Sequence, residues 1–197
     1  MSRQIAARQF FIINIKQMIR VISGIYKRKR LKRVSSPLVR PVPDKLKEVL
    51  FNIIKEDVRG SIFLDGFAGT GSLGIEALSR GAEKVVFVDE YYPAVKVIKT
   101  NLAKCEAEAS AQIIRKDFNR AVIRLANEKM KFDLIFVDPP YKYLDERNPL
   151  KVIKKREILK PGGKIILRHH FKTKFEAKYF QVRRRFTIGD DTISIYE

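Results

Sequence analysis

The 197-residue sequence predicts an α/β fold in which a mostly parallel sheet carries helices on both faces. Short apolar runs typical of buried strands alternate with amphipathic helical segments from residue 61 onward. A glycine-rich turn joins the first of these strands to the helix behind it. Hydrophobic residues make up 45% of the chain, which is sufficient for one full core, so we expect one domain of ordinary size.

The N-terminal region is expected to differ from the rest. Residues 19–26 are typical of a strand that enters a turn, and a second short strand follows a run of basic residues. We therefore expect a small basic β-hairpin in residues 18–43, as an appendage to an α/β domain in residues 44–197. Residues 1–17 form an extension whose composition permits disorder, and which suits either a targeting segment or a dispensable stretch before a start at Met18.

The α/β region contains a regular succession of elements, opened by a helix with one apolar face over residues 44–54. After it, strands are predicted at 61–65, 84–88, 111–116, 132–137 and 163–168, and helices at 72–80, 93–104, 119–129 and 145–159. Residues 159–163 contain one proline and two glycines, and we expect them to end the last helix. Two further strands, 179–187 and 192–196, predict a C-terminal antiparallel hairpin.

Positive charge is concentrated at both ends of the chain, whose net charge is +19. Residues 1–43 contain eleven Lys and Arg and no acid, residues 44–150 seventeen of each sign, and residues 151–197 thirteen bases and five acids. Nucleic-acid phosphates explain this segregation better than a solvated surface or a membrane surface, since neither basic cluster has a clean amphipathic face. The candidate phosphate ligands are Arg20, Lys27, Arg28, Lys29, Arg30, Lys32, Arg33, Arg40, Arg183, Arg184 and Arg185.

Cysteine and histidine are scarce in this sequence. The single cysteine, Cys105, excludes an internal disulfide framework and a cysteine zinc cluster, and it fits a reducing compartment. His169 and His170 are adjacent and would point to opposite faces of a strand, so we expect no metal site. No apolar stretch reaches the roughly 20 residues that span a bilayer. We expect a cytoplasmic monomer with no membrane partner.

The glycine-rich segment predicts a cofactor site. A strand ending at Asp65 runs into the Gly-x-Gly-x-x-Gly segment 69–74, and a helix follows. Glycines permit positive φ and close approach of the backbone to a ligand, and the helix N-terminus favours polar groups. The loop alone would also fit a dinucleotide. Asp65 before the loop and Asp89 about twenty residues beyond it favour S-adenosylmethionine, which has an ammonium group and a ribose but no phosphate.

Two more acids follow predicted strands. Asp117 stands beside Phe118, where the pair could hydrogen-bond and cover an adenine, and Asp138 directly follows an almost continuous apolar strand. Ligands of open α/β sheets bind at the carboxyl ends of the strands. We therefore expect Asp65, Asp89, Asp117 and Asp138 to line one crevice.

The turn Asp138-Pro139-Pro140-Tyr141 suits chemistry on an amino nitrogen. The prolines end the strand and remove two backbone donors, so the carbonyls of the turn can accept hydrogen bonds. A planar group with an exocyclic NH2 could donate to Asp138 and to a proline carbonyl while its ring lies on Tyr141. Such a nitrogen is a poor nucleophile because its lone pair is delocalised, and holding its N–H bonds would direct the lone pair at a methyl donor.

With these residues, the chain resembles the Rossmann-like class I S-adenosylmethionine-dependent methyltransferases. Among them it is similar to the bacterial RsmD-type enzymes, which methylate the N2 amine of a guanine in 16S rRNA. The resemblance spans roughly Met18 to Tyr196, and its specific parts are residues 20–31, 40–52, 65–82 and 132–141. The part from Glu76 to Ala82 discriminates most, since most methyltransferases share only the first half of the glycine-loop segment.

The resemblance implies roles for individual residues. Catalysis would rest on Asp138, Pro139, Pro140 and Tyr141. S-adenosylmethionine would contact Asp65, Phe67, Gly69, Gly71, Asp89, Glu90, Asp117 and Phe118. The basic ends would bind 16S rRNA, either free or in an assembling 30S subunit.

The chain departs from the family pattern in three places. Val42 and Pro43 stand where the family usually has threonine, and Gly66 stands where it usually has a bulkier apolar residue. Residues 168–170 read Arg-His-His at the end of a predicted strand, where the family tends to place a glutamate. The resemblance therefore implies no role for the Arg-His-His segment. This segment adds positive charge near the expected RNA face.

Two alternatives stay open from the sequence. A DNA amino-methyltransferase or a protein glutamine methyltransferase has a similar turn, commonly with asparagine first, so Asp138 favours guanine only weakly. The chain is short for an enzyme with a separate DNA-recognition domain. A non-catalytic RNA-binding assembly factor could keep the same fold, but the intact turn 138–141 opposes that interpretation.

Overall fold

The computed structural model describes residues 19–36, 39, 41–173 and 178–197. The expected extension, residues 1–17, and the candidate phosphate ligand Arg40 lie outside the described residues. Three residues, Tyr141, Lys142 and Asp145, are described by their backbone alone.

The strands form a two-stranded hairpin and one large sheet. The hairpin pairs Ile19–Arg20 (β1) with Arg30–Leu31 (β2). The sheet comprises Ile62–Gly66 (β3), Lys84–Val88 (β4), Ala111–Ile114 (β5), Phe132–Val137 (β6), Leu159–His170 (β7), Val182–Ile188 (β8) and Asp191–Tyr196 (β9). Its strand order is β5-β4-β3-β6-β7-β9-β8, with β3 to β7 parallel and β9 antiparallel to both of its neighbours. The predicted parallel sheet with a C-terminal antiparallel hairpin is confirmed.

Helices connect the parallel strands. Their bounds are Asp44–Ile53 (α1), Lys55–Val58 (α2), Ser72–Ser79 (α3), Tyr92–Cys105 (α4), Phe118–Asn127 (α5), Tyr141–Glu146 (α6) and Pro149–Arg156 (α7), with a 3₁₀ turn at Glu108–Ser110. Local sequence explains several starts: Asp117 caps α5 through the amides of Asn119 and Arg120, and Asn148 caps α7 just before Pro149.

Two apolar clusters cover the two faces of the sheet. On one face, buried side chains of α1, α3 and α4 pack against β3, β4 and β6. On the other face, buried side chains of α5, α6 and α7 do the same. Along the parallel strands, neighbouring residues such as Ile135 and Phe136 therefore bury opposite sides of one strand, as a sheet covered on both faces requires. The helices on both faces are confirmed.

The β1–β2 hairpin is anchored to this core by two buried charged side chains. The carboxylate of Glu76, on α3, accepts the amide protons of Ile22 and Ser23 at 2.7 and 3.0 Å. Lys47, on α1, donates to the carbonyl oxygen of Arg20 at 2.7 Å. Both Glu76 and Lys47 are fully buried. The hairpin is thus held on the α1/α3 face by backbone groups that these two side chains satisfy.

The largest differences between the predicted and the observed elements are at three places. The strand expected over 19–26 is only two residues long, because the chain turns from Ser23 onward. The helix expected over 145–159 is two helices, α6 and α7, because Pro149 cannot continue a preceding helix and starts a new one. The breakers 161–163 lie inside β7 rather than in a loop, and the pairing register of β7 with β6 shifts at this point, as at a β-bulge.

Among the residues that the structure describes, no helix is long and apolar enough to cross a membrane.

Candidate active site

The four predicted acids lie at one edge of the sheet. Asp65 is near the end of β3, Asp89 directly follows β4, Asp117 follows β5 and Asp138 directly follows β6. These strands are neighbours in the order β5-β4-β3-β6, and all of them run in the same direction. The amide of Asp138 also donates to the carbonyl oxygen of Gly66, at 3.4 Å. The Asp-Pro-Pro turn therefore adjoins the start of the glycine loop.

The glycine loop is braced by Asp89. Gly69 and Gly71 have φ values of +55° and +74°, which favour glycine. One carboxylate oxygen of Asp89 accepts the amide proton of Gly69 at 2.8 Å, and the other accepts that of Tyr91 at 2.8 Å. Burial raises the pKa of Asp89, and these two amides counteract part of that rise. Phe67 also has a left-handed φ of +66°, an uncommon conformation that is often found at ligand-binding loops.

Asp65 is a buried carboxylate. One of its oxygens accepts the amide proton of Gly74, inside the first turn of α3, at 2.9 Å. Burial raises its pKa to about 7, the Gly74 amide opposes this rise, and the charges of Asp138 and Asp89 add to it. Among the described residues no lysine or arginine pairs with Asp65. A cationic ligand group at this position would favour the ionised carboxylate.

An aromatic cluster lies beside the loop. The Phe67 ring stacks on Phe118 with centroids 5.1 Å apart, and it meets the edge of Tyr143 at 4.9 Å. The Tyr143 hydroxyl donates to Asn119 at 3.1 Å, and burial, followed by the charge of Asp117, raises its pKa to about 12. These rings give the crevice one apolar wall.

Gly66 explains how Phe118 reaches that wall. A Cβ atom at Gly66 would lie 2.5 Å from the Phe118 ring, closer than carbon atoms can approach. The bulkier residue that the family usually has at this position would therefore collide with Phe118 in this chain. The glycine and the phenylalanine form a matched pair.

The remaining predicted cofactor residues have other contacts. Asp117 caps α5 with one carboxylate oxygen, and the other lies 2.6 Å from the Arg147 guanidinium, which itself lies over the Tyr143 ring. Glu90 is exposed and directly follows Asp89 in the chain. A role of Asp117 in holding adenine would require it to share its carboxylate with Arg147. The cofactor assignments of Asp117 and Glu90 stay predictions.

The Asp-Pro-Pro turn leads straight into α6. The carbonyl oxygen of Pro140 accepts the amide proton of Tyr143 at 2.8 Å, whereas nothing in the described part of the chain donates to the Pro139 carbonyl. Tyr141 is the first residue of α6, and its side chain lies outside the described residues. Stacking on Tyr141 therefore stays a prediction.

The turn also contacts a residue that the sequence analysis assigned to no site. Arg168, near the end of β7, donates to Asp138 at 2.8 Å and to Asp191 at 2.8 Å. The sequence signal was the Arg-His-His departure from the family pattern. Asp191 had no signal, because its place beside the turn depends on the pairing of β9 with β7.

The basic hairpin lies along the helices rather than over the crevice. The amide of Ile25, at the hairpin turn, donates to the carbonyl oxygen of Ser79 at the end of α3. Because α3 starts at the crevice and runs back toward the strand starts, the hairpin turn with exposed Lys27 and Arg28 adjoins the end of α3 that is remote from the crevice. The other described candidates of this cluster are exposed (Arg20, Arg30, Lys32) or half-buried (Lys29, Arg33).

The C-terminal basic cluster lies on the edge strand of the large sheet. Arg183, Arg184 and Arg185 are exposed on β8, the edge strand of the sheet. Arg183 pairs with Glu197 at 2.9 Å, and Arg185 donates to the hydroxyl of Ser194 at 3.1 Å. The two basic clusters therefore belong to different elements, the β1–β2 hairpin and the edge strand β8.

The fold and the arrangement of the edge define the class of protein: a class I methyltransferase. The family model described as "Conserved hypothetical protein 95" matches residues 19–197, so the chain belongs to that family. The expected RsmD-type family, fold and enzyme class are confirmed by the proteins to which the chain is similar.

Two curated relatives and one solved structure illustrate the similarity. "Putative rRNA methyltransferase YlbH" of Bacillus subtilis is 38% identical over 181 residues, which cover 91% of this chain and 98% of that protein. "Ribosomal RNA small subunit methyltransferase D" of Haemophilus influenzae is 34% identical over 154 residues, covering 77% of this chain and 79% of that protein. The structure of "Putative methyltransferase yhhF from Escherichia coli" has a TM-score of 0.76 at 26% identity, covering 91% and 97% of the two chains.

Proposed function

We propose that this protein transfers a methyl group from S-adenosylmethionine to the exocyclic N2 amine of a guanine in 16S rRNA, in the cytoplasm, while the small subunit assembles. The observation that carries the proposal is the contact between the two halves of the site. The Asp138 amide donates to the Gly66 carbonyl, so an acceptor carboxylate for an amine adjoins the loop and acids that suit the methyl donor. The relatives named rRNA methyltransferases support RNA as the substrate.

The residues at the loop fit the chemistry of S-adenosylmethionine. This cofactor supplies an electrophilic methyl group on a sulfonium. Asp65, buried without a cationic partner among the described residues, suits the ammonium group. Asp89 braces the loop through Gly69 and would bind the ribose hydroxyls. The apolar wall of Phe67 and Phe118 suits a flat base such as adenine.

The Asp-Pro-Pro turn supplies the acceptors that the target amine needs. Asp138 and the Pro139 carbonyl would each accept one N–H bond of the guanine N2. These two contacts favour a pyramidal nitrogen whose lone pair points at the methyl group, and most of the acceleration comes from this positioning. Tyr141 would stack on the extruded base, which is worth roughly 1–3 kcal/mol.

The two basic surfaces would hold RNA phosphates. Phosphate contacts supply affinity and orientation but read no sequence, so base choice rests with the turn. Because the basic residues belong to two separate elements, the hairpin and β8, we infer a structured RNA or a partly assembled particle as the substrate rather than a short single strand.

The test is transfer of label from radioactive S-adenosylmethionine to unmodified small-subunit rRNA, free and in partly assembled 30S particles. Duplex DNA and total ribosomal protein serve as rival acceptors. We expect label in rRNA from the wild type and none above background from Asp138→Ala, with unchanged binding of S-adenosylmethionine by the variant. Label in DNA or protein alone would contradict the proposed substrate. Binding of the cofactor without any transfer would favour a non-catalytic assembly factor.

A further inference from the structure

Arg168 and Asp138 lie side by side at the carboxyl edge of the sheet. β6 and β7 are parallel, and Val137 pairs with Leu167. The residues that follow this pair, Asp138 and Arg168, are therefore neighbours. Nη1 of Arg168 donates to Oδ2 of Asp138 at 2.8 Å. Strand pairing, rather than a loop, thus brings Arg168 beside Asp138.

The other terminal nitrogen of the same guanidinium binds a second acid. Nη2 of Arg168 donates to Oδ2 of Asp191 at 2.8 Å, and Asp191 is the first residue of β9, paired with His170 of β7. A guanidinium is planar, and its two terminal nitrogens have a fixed spacing and direction. Because each nitrogen is bound to a different carboxylate, the plane of the guanidinium is fixed, and with it the position of the Asp138 oxygen that it contacts.

Burial makes these contacts strong. The Arg168 side chain is only 8% exposed, and the side chains of Asp138 and Asp191 are 21% and 16% exposed. Burial alone would lower the pKa of Arg168, but the charges and hydrogen bonds of the two acids outweigh it and raise that pKa. Two carboxylates around one guanidinium leave a net negative charge beside the turn, which suits a reaction that passes positive charge to the amine.

We propose that Arg168 is a positioning residue for methyl transfer: it holds the Asp138 carboxylate in the orientation that accepts the target N–H bond, and Asp191 holds Arg168. This inference rests on the proposed function, since Asp138 matters only as the acceptor for the amine. It goes beyond the resemblance, because the family tends to have a glutamate where this chain begins Arg168-His169-His170. A glutamate could not make these contacts, because it would place a third negative charge between two acids.

The test compares variants by their single-turnover rate of methyl transfer, at saturating cofactor and acceptor, and by cofactor affinity from calorimetry. The acceptor is whichever of rRNA particle, DNA or protein the wild type labels. For Arg168→Gln we expect the rate to fall about 10²-fold, the loss typical of a misplaced catalytic group, with cofactor affinity within twofold of wild type. Arg168→Lys keeps the charge but not the planar fork, so it should recover part of the rate.

A double variant shows whether Arg168 acts through Asp138. If it does, Asp138→Asn with Arg168→Gln should react no more slowly than Asp138→Asn alone. Arg124→Gln is the matched control, because Arg124 forms an exposed pair with Glu128 on the outer face of α5, and it should leave the rate unchanged. Equal losses from Arg168→Gln in the two backgrounds would overturn the inference.

Asp191→Asn keeps the test decisive if Arg168→Gln does not fold. This variant retains the contact between Arg168 and Asp138 but loses its second anchor, so we expect a smaller loss of rate, about tenfold. If Arg168→Gln or Asp191→Asn folds and transfers methyl groups at the wild-type rate, the inference about Arg168 is overturned, while the proposed function stands. If the wild type labels DNA or protein but no RNA, the proposed substrate fails, and the same comparison of rates still decides the role of Arg168.

Discussion

At the scale of single residues, four acids at one sheet edge have four different surroundings. Asp65 is buried with one amide donor, and Asp89 accepts the amide of Gly69 in the glycine loop and that of Tyr91. Asp117 caps a helix and pairs with an arginine, and Asp138 pairs with Arg168. The surroundings determine what each acid can do: Asp65 has no cationic partner among the described residues, Asp89 and Asp117 bind backbone amides, and Asp138 accepts a hydrogen bond from Arg168.

Asp65 predicts a pH dependence of cofactor binding. Its pKa is about 7 in the ligand-free protein, and a bound ammonium group favours the ionised form. Cofactor affinity should therefore rise about tenfold per pH unit as the pH increases toward 7, and level off above it. Calorimetry between pH 5 and 7 measures this, a range in which an α-amino group stays protonated. Asp65→Asn should bind weakly with little pH dependence, and an identical slope in that variant would contradict the assignment.

The same pKa predicts a pH dependence of stability. Asp65 titrates near the ordinary value of 3.8 in the unfolded chain and near 7 in the folded protein, so the folded state binds the extra proton between these values. The stability that this protonation contributes is fully present below about pH 4 and is lost as the pH rises through 7. Urea denaturation of the wild type and Asp65→Asn at pH 5 and pH 8 tests it. The stability difference between the two proteins should be larger at pH 8, in favour of the variant.

The candidate site was only partly predictable at this scale. The positions of Asp65, Asp89 and Asp138 could be predicted, because an apolar run that stops at an acid marks the carboxyl end of a buried strand. The partner of Asp138 does not follow, because Arg168 is one of thirteen bases in residues 151–197 and only the register of β7 on β6 selects it. Ion pairs across a sheet depend on which strands are neighbours, and local sequence does not contain that information.

At the scale of elements, matched pairs of residues hold the helices and the hairpin in place. α5 approaches β3 closely enough for the Phe118 ring to fill the space over Gly66. α3 holds the N-terminal hairpin through Glu76, which accepts the amide protons of Ile22 and Ser23. Glu76 therefore attaches the hairpin to the methyltransferase fold.

Gly66→Ala should destabilise the protein by forcing a methyl group against Phe118. Overpacking of this kind typically costs about 1–3 kcal/mol of the free energy of unfolding. Urea denaturation with cofactor absent measures this change. Phe118→Leu in the same chain should recover part of the loss, because a smaller side chain leaves room for the methyl group. A loss in Gly66→Ala that Phe118→Leu leaves unchanged or deepens would contradict the matched pair.

Glu76→Gln should weaken the hold on the hairpin. Glu76 is fully buried, accepts two hairpin amides and pairs with Arg80 at 2.8 Å. Breaking a buried charged network typically lowers the free energy of unfolding by about 3–5 kcal/mol. Hydrogen exchange of the Ile22 and Ser23 amides should accelerate more than exchange in β6. Glu56→Gln is the matched control, since Glu56 is exposed. This variant should change neither the free energy of unfolding nor the exchange of the hairpin amides. Faster exchange throughout the sheet, with no preference for the hairpin, would contradict a local anchor.

The elements show what local sequence can and cannot predict. The bounds of β4 and β6 agree with the predicted 84–88 and 132–137, because uninterrupted apolar runs between breakers define them. The effect of Pro149 was not predicted correctly: it starts a new helix where one continuous helix was predicted. The breakers 161–163 lie within β7, at the point where its pairing with β6 is interrupted, because Leu159 and Lys164 pair with β6 on either side of them.

At the scale of the whole molecule, charge is segregated around a neutral catalytic centre. The hairpin cluster lies along α3 with its tip away from the crevice, and the β8 cluster lies at one edge of the sheet. Since the hairpin is anchored by buried groups, its charges keep a fixed position relative to the active site. Two fixed basic surfaces favour a substrate with a defined three-dimensional shape.

Neutralising the β8 cluster should lower RNA affinity without affecting the cofactor. Replacing Arg183, Arg184 and Arg185 with alanine should reduce the slope of log affinity against log salt by about 2–3, since each phosphate contact contributes roughly 0.7–0.9. Lys55→Ala, which removes an exposed charge on α2, is the control and should change the slope little. An unchanged slope in the triple variant would remove β8 from the RNA surface.

The measurement that tests the central claim most directly is the identity of the methylated nucleoside. Small-subunit rRNA labelled by the wild-type protein would be digested to nucleosides and separated by mass spectrometry, beside rRNA treated with Asp138→Ala. Transfer at the Asp-Pro-Pro turn predicts N2-methylguanosine at a single site with the wild type and none with the variant. Methyl groups on another base or on another atom of guanine, or N2-methylguanosine formed equally well without the Asp138 carboxylate, would contradict it.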